Sequence, residues 1–74
     1  MYRYELIIFW SANDHLFIVE VPELPGCMAH GRTPAEAVAS AEEAITLWIS
    51  TASADHLAIP EPKGRFHTPL APAP

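Results

Sequence analysis

From Tyr2 to Val21 apolar side chains recur with a two-residue period, broken once by a polar cluster. Tyr2 to Trp10 and Leu16 to Val21 are rich in aromatic and β-branched residues and read as strands. Ser11-Ala12-Asn13-Asp14 between them is a turn cluster, so the pair forms an antiparallel hairpin. With Trp10 opposite His15, one face carries Tyr4, Leu6, Ile8, Trp10, Phe17, Val19 and Val21. It is almost wholly apolar and is expected to be core, beneath a helix. The opposite face carries Arg3, Glu5, Ile7, Phe9, Leu16, Ile18 and Glu20. A free sheet face should be more polar than this. Ile7, Phe9, Leu16 and Ile18 are therefore expected to be buried against another copy of the chain.

After Val21 the period changes. Pro22 cannot donate to a ladder and ends the strand. Leu24-Pro25-Gly26 is a turn, because proline presets φ and glycine tolerates positive φ. Cys27 to Arg32 makes a short third strand whose small face, Cys27, Ala29 and Gly31, lets a helix approach closely. Thr33-Pro34-Ala35-Glu36 is a capping box with proline at N1. The helix then runs from Pro34 to about Thr51, with an apolar stripe of Ala37, Val38, Ala41, Ala44, Ile45 and Trp48. Glu36, Ser40, Glu42 and Glu43 are placed on its wet side. No glycine caps its end, so Ser50 to Asp55 reads as a gradual exit. Ile59-Pro60-Glu61-Pro62 is extended, since each proline biases its predecessor away from helix. The fold class is α+β: a three-stranded antiparallel sheet with one helix packed on one face. Residues 1–62 form the domain, and 63–74 read as a flexible proline-rich tail.

Composition narrows the function classes. A chain of 74 residues allows one small domain with a core that is marginal alone. Cys27 is its only cysteine, so no disulfide framework compensates, and oligomerisation, to a dimer or tetramer, becomes the expected source of extra stability. A lone thiol fits a reducing compartment, and the N-terminus enters a strand pattern without a signal-peptide pattern. No apolar run approaches the roughly 20 residues that span a bilayer. The expected location is cytoplasmic, away from membranes. Net charge is −5, with only Arg3, Arg32, Lys63 and Arg65 basic. Direct nucleic-acid binding through phosphates is not expected; a basic protein partner is.

Candidate chemistry is sparse. In the assumed register Glu5 and Glu20 lie opposite each other, and two opposed carboxylates can hold a divalent ion. Solvated strand-edge charges are the plainer reading. His15, His30, His56 and His67 show no metal-ligand spacing. His30, near the helix start, is the one singled out as a surface contact. Cys27 has no sequence neighbour that would activate its thiol and is expected to be a buried small hydrophobe. Trp10 and Trp48 are read as core rather than as a shared ligand pocket. No catalytic residue, metal ligand or cofactor is assigned, and no intrinsic nuclease activity is expected. An enzyme or small-molecule binder using Glu5, Glu20 or His30 is the alternative class, and an orphan homo-oligomer a third.

The run Asp14 to Cys27, with its Val21-Pro22-Glu23-Leu24-Pro25-Gly26, resembles the signature of HicB antitoxins. Gly31-Arg32-Thr33-Pro34-Ala35-Glu36-Ala37, Ala41-Glu42-Glu43-Ala44-Ile45 and Ile59-Pro60-Glu61-Pro62 follow in that family's order and spacing. The resemblance covers roughly residues 2 to 62. It implies a partial RNase H-like fold and a non-catalytic partner that occludes a small, basic, HicA-type RNA-cleaving toxin. Many members continue into another strand and a DNA-binding segment, where this chain has its proline-rich stretch. Under that implied function the acids Glu23, Glu42 and Glu43 complement a basic toxin, and Leu24, Met28 and His30 project outward to give shape specificity.

Overall fold

In the computed structural model, which describes residues 2–65, three antiparallel strands and one helix follow in sequence order. β1 (Ile7–Ser11) pairs with β2 (Leu16–Glu20), and β2 pairs with β3 (Met28–Gly31). The helix α1 (Pro34–Ala54) packs chiefly across β3 and β2, on one face of the sheet. The α+β arrangement is the expected one. Residues 66–74, most of the expected tail, and His67 with them, lie outside the described residues.

The first hairpin closes at Ser11 opposite Leu16, so Trp10 faces Phe17 rather than His15. His15 has a left-handed φ of 53° and belongs to the turn. Asp14 is fixed in that turn by the Ser11 hydroxyl, which donates to Oδ2 at 2.9 Å. The register differs by two residues from the expected one, which preserves the parity of both faces. It does not preserve the pairing: Glu20 faces Ile7, not Glu5. Pairing also starts later than the apolar pattern suggests, at Ile7 instead of Tyr2. The cause lies on the partner strand, where Pro22 has no N–H. Beyond the ladder the Glu23 carboxylate takes over, accepting from the Glu5 amide at 3.1 Å.

The turn after β2 is closed by three backbone bonds. Val21 N–H donates to Cys27 O at 3.0 Å, Leu24 N–H to Val21 O at 3.0 Å, and Cys27 N–H to Leu24 O at 2.9 Å. Gly26 sits at φ 78°, the position-three requirement of a type II turn with Pro25 before it. This double turn drives Leu24 into the core, where it is 0% exposed beside Tyr4, Val21, Cys27 and Ile45. A second buried cluster joins Val19 to Ala37 and Ala41, and Leu6 packs on both.

The helix begins at the expected capping box. Glu36 N–H donates to Thr33 Oγ1 at 3.1 Å, and the Glu36 carboxylate accepts from Arg32 N–H at 3.0 Å, one residue before the cap. Thr33→Ala should cost about 1 kcal/mol, the usual loss of a good N-cap, measured by chemical denaturation. The helix ends at Ala54, later than expected. Its stop is a Schellman pattern: His56 N–H donates to Ser53 O at 3.2 Å and Leu57 N–H to Ala52 O at 2.8 Å. His56 adopts the left-handed φ of 57° that glycine usually supplies there. Ala52 is buried as a result, while Ser40 and Glu42, expected in water, are half-buried.

A further correction concerns the inner sheet face. Ile8 and Trp10, expected in the core, are exposed. A helix is about 10 Å across and strands are about 4.8 Å apart, so one helix covers about two strands. The small residues Cys27, Ala29 and Gly31 draw α1 over β3, which leaves β1 bare. Trp10 instead stacks edge-on against Phe17, with ring centroids 5.1 Å apart.

Candidate functional site

The sheet face turned away from α1 has no covering element among the described residues. Its composition follows from register. Ile7 lies beside Glu20 and Glu20 beside Met28; Phe9 lies beside Ile18 and Ile18 beside His30. Directly opposed residues share a face, so these six side chains form two rows across all three strands, with Leu16 beside them on β2. Ile7, Phe9, Met28 and His30 are exposed; Leu16, Ile18 and Glu20 are half-buried. The result is an apolar surface holding one carboxylate and one imidazole. It unites two groups of residues that the sequence reading kept apart, the self-association set Ile7, Phe9, Leu16 and Ile18 and the partner-contact pair Met28 and His30.

The other expected contacts are distributed differently. Leu24 is interior and does not project outward. Glu23 is committed to the fold: one carboxylate oxygen accepts from Glu5 N–H and the other from Lys63 N–H at 3.0 Å. With Tyr4 O–H donating to Pro60 O, and Arg65 paired with Glu5, these bonds strap residues 60–65 across the N-terminal segment. Glu42 and Glu43 lie on the helix, with only Glu43 exposed.

The amide of Lys63 first, then that of Glu5, holds the Glu23 carboxyl below the usual carboxylate range. A depressed folded pKa gives stabilisation that is complete above the unfolded value and is lost as pH falls through the folded one. Acidification across that window should lower the hydrogen-exchange protection of the Glu5 and Lys63 amides relative to their intrinsic rates at each pH. Glu23→Gln should remove this pH response, read by two-dimensional NMR.

On the edge beyond β3, a groove of about 420 Å³ runs between the turn and the helix. Met28, Leu47, Trp48 and Leu57 line it, with Cys27 at its floor. Leu47 and Leu57 are strongly exposed, a feature the sequence reading missed. Leu47 falls just off the apolar stripe, and Leu57 follows a helix stop that no glycine signals. Trp48 donates its indole N–H to Pro25 O at 3.0 Å. It lines this groove, whereas Trp10 contacts His15 and Phe17, so the two tryptophans do not share a pocket.

For chemistry the site offers little. Glu5 and Glu20 are not opposed, and among the described residues no three His, Cys, Asp or Glu side chains converge to hold a metal. Cys27 is buried, and burial pushes its thiol pKa up, away from the reactive thiolate. No helix among the described residues is long and apolar enough to cross a membrane.

Residues 4–66 match the family described as HicB_like antitoxin of bacterial toxin-antitoxin system. UPF0150 protein Ta0767 of Thermoplasma acidophilum is 35% identical over 54 residues, which cover 73% of this chain and 78% of that one. No solved structure matches. A match running from the buried Tyr4 through the whole sheet, the helix and the strap places this chain in the HicB-like antitoxin family.

Proposed function

We propose that this chain is the antitoxin of a type II toxin-antitoxin pair and occludes a small, basic, HicA-type RNA-cleaving toxin in the cytoplasm. The observation that carries the reading is the outer sheet face, where Glu20 sits between Ile7 and Met28, and His30 stands beside Ile18. Such a face supplies apolar area for affinity and a negative charge for register against a basic partner. A toxin that grips RNA through phosphates must be basic, and the −5 net charge of this chain steers the encounter. Met28 and His30 are the proposed contacts on β3, and Glu43, with Glu42 behind it, adds long-range attraction from the helix. The antitoxin itself performs no chemistry in this mechanism; it excludes RNA from the toxin's active site. Self-association through Ile7, Phe9, Leu16 and Ile18 belongs to the same reading and takes the β1 and β2 side of this face, which leaves Met28 and His30 on β3 to the toxin. Covering each of those side chains is worth roughly 1.5–3 kcal/mol when complete.

Co-expression with the product of the reading frame next to its own is the test. Relief of growth arrest and a complex on size exclusion are expected. Arrest that persists, with no complex formed, rejects the reading. Within the complex, Glu43→Lys should lower the association rate and its salt dependence, whereas Met28→Ala should mainly raise the dissociation rate, both measured by surface plasmon resonance.

A further inference from the structure

We infer that an extended segment of the toxin joins the sheet as a further strand along β3, with every second side chain seated in the groove beside α1. The inference rests on the antitoxin reading above and specifies where and how the partner binds. β3 is the outer strand on the side away from β1, and no strand pairs with its far edge among the described residues. The ladder fixes what that edge offers. Val21, just beyond β2, donates its N–H to Cys27 O, so these two residues form a hydrogen-bonded pair. Such pairs recur at every second residue of an antiparallel ladder, which makes Val19 with Ala29 the next and Phe17 with Gly31 the one after. Met28 and His30 fall between them. Their N–H and C=O groups therefore point away from β2, toward a strand alongside.

The groove runs along the same edge. Successive residues of an added strand alternate between the two faces of the sheet. Those on the outer face meet the side chains of Met28 and His30, and those on the helix side meet the groove. There Leu47 and Leu57 are 68% and 61% exposed. Trp48 is held by its bond to Pro25 O, so that wall is set before a partner arrives. A helix laid in the groove would cover these side chains but leave the backbone groups of Met28 and His30 without protein partners. An extended segment satisfies both.

Charge selects a basic partner. Glu20 stands beside Met28. Glu43 is four residues before Leu47 on α1, and Asp55 is four after Thr51, spacings that make neighbours on a helix surface. The C-terminal end of α1 adds its partial negative charge, and its last turn holds no basic residue. The lysine and arginines of the chain lie elsewhere: Arg3, Lys63 and Arg65 line a separate cleft with Glu5 and Glu23, and Arg32 precedes the helix start. An apolar groove with an acidic border fits an apolar segment flanked by lysine or arginine. A second copy, at −5 net charge, is a poorer match. The chain after α1 leads away from the groove: Leu57 lines it, Pro60 meets Tyr4, Lys63 meets Glu23, and Arg65 meets Glu5 on the β1 side of the sheet.

Amide hydrogen exchange by NMR at one pH tests the inference, on the full chain free and mixed with the product of the reading frame next to its own. In the free chain the Met28 and His30 amides are expected to exchange fast and the Ala29 amide slowly. In the complex Met28 and His30 are expected to slow by about tenfold or more. Leu47→Lys, at an exposed position and checked for folding by far-UV circular dichroism, should weaken the complex by about tenfold or more. A complex that leaves both amides fast, or that Leu47→Lys does not weaken, overturns strand addition and leaves the antitoxin reading standing on the outer face. Amides already slow in the free chain at every concentration assign the edge to the chain itself. Amides that slow only as the free chain is concentrated assign it to a second copy. Either result overturns the inference. Absence of any complex, with growth arrest unrelieved, removes the antitoxin reading and the inference with it.

Discussion

Replacing Gly31 by alanine is expected to destabilise the protein by about 3 kcal/mol or more, the upper end of the range for overpacked sites. A Cβ at this position would lie 2.4 Å from the Ala37 nitrogen, 2.7 Å from the Glu36 carbonyl carbon and 2.8 Å from Glu36 Cβ. Two of those atoms are backbone, in the first turn of α1, and cannot rotate aside. The helix start must move off β3, which strains the Glu36–Thr33 and Glu36–Arg32 bonds of the cap and opens the cluster of Val19, Ala37 and Ala41. Gly26 is the control. It needs its glycine for a φ of 78°, but a Cβ there would meet nothing within 4 Å. Gly26→Ala should therefore cost only about 1 kcal/mol, through backbone conformation alone. Urea unfolding of the two variants at one protein concentration measures the difference. Equal losses would show that α1 gives way without resistance and that the close approach is not what selects glycine at residue 31.

Leu24→Ala is expected to remove about 2–5 kcal/mol, the range for truncating a buried leucine. A domain of this size holds roughly 4–11 kcal/mol in total, so the variant should be partly unfolded near body temperature. The side chain is fully buried, and its backbone is pinned at both ends: Leu24 N–H donates to Val21 O, and Leu24 O accepts from Cys27 N–H. The turn cannot collapse into the cavity without breaking one of these bonds. Thermal unfolding of the isolated protein should show the whole loss. If stability is unchanged and only toxin binding falls, Leu24 acts at the surface, against its position in the fold.

The local punctuation of this fold is legible in the chain itself. Thr33-Pro34-Ala35-Glu36 places the helix start because its chemistry acts within one turn. Pro25-Gly26 places the turn because each residue restricts or frees its own φ. Strand parity is legible for the same reason: a two-residue register error leaves every side chain on its own face, so the surface of Ile7, Phe9, Leu16 and Ile18 could be read before the pairing was known. The order of motifs also points to the antitoxin family that the wider match establishes.

What depends on distant parts of the chain could be settled only by the tertiary structure. Alternation assigns Ile8 and Trp10 to the helix side, but it carries no information on where the helix sits laterally. That was decided by the width of one helix and by the small residues of β3, which drew it away from β1. Leu24 looks like an exposed turn residue until both turns around it close and face it inward. Glu23 resembles a free surface acid until the amides of Glu5 and Lys63, far away in sequence, converge on it. Residue type and spacing determined the elements and their faces, because those obey local sterics and periodicity. Coverage of the faces depended on how a single helix shares out three strands, and that is a property of packing.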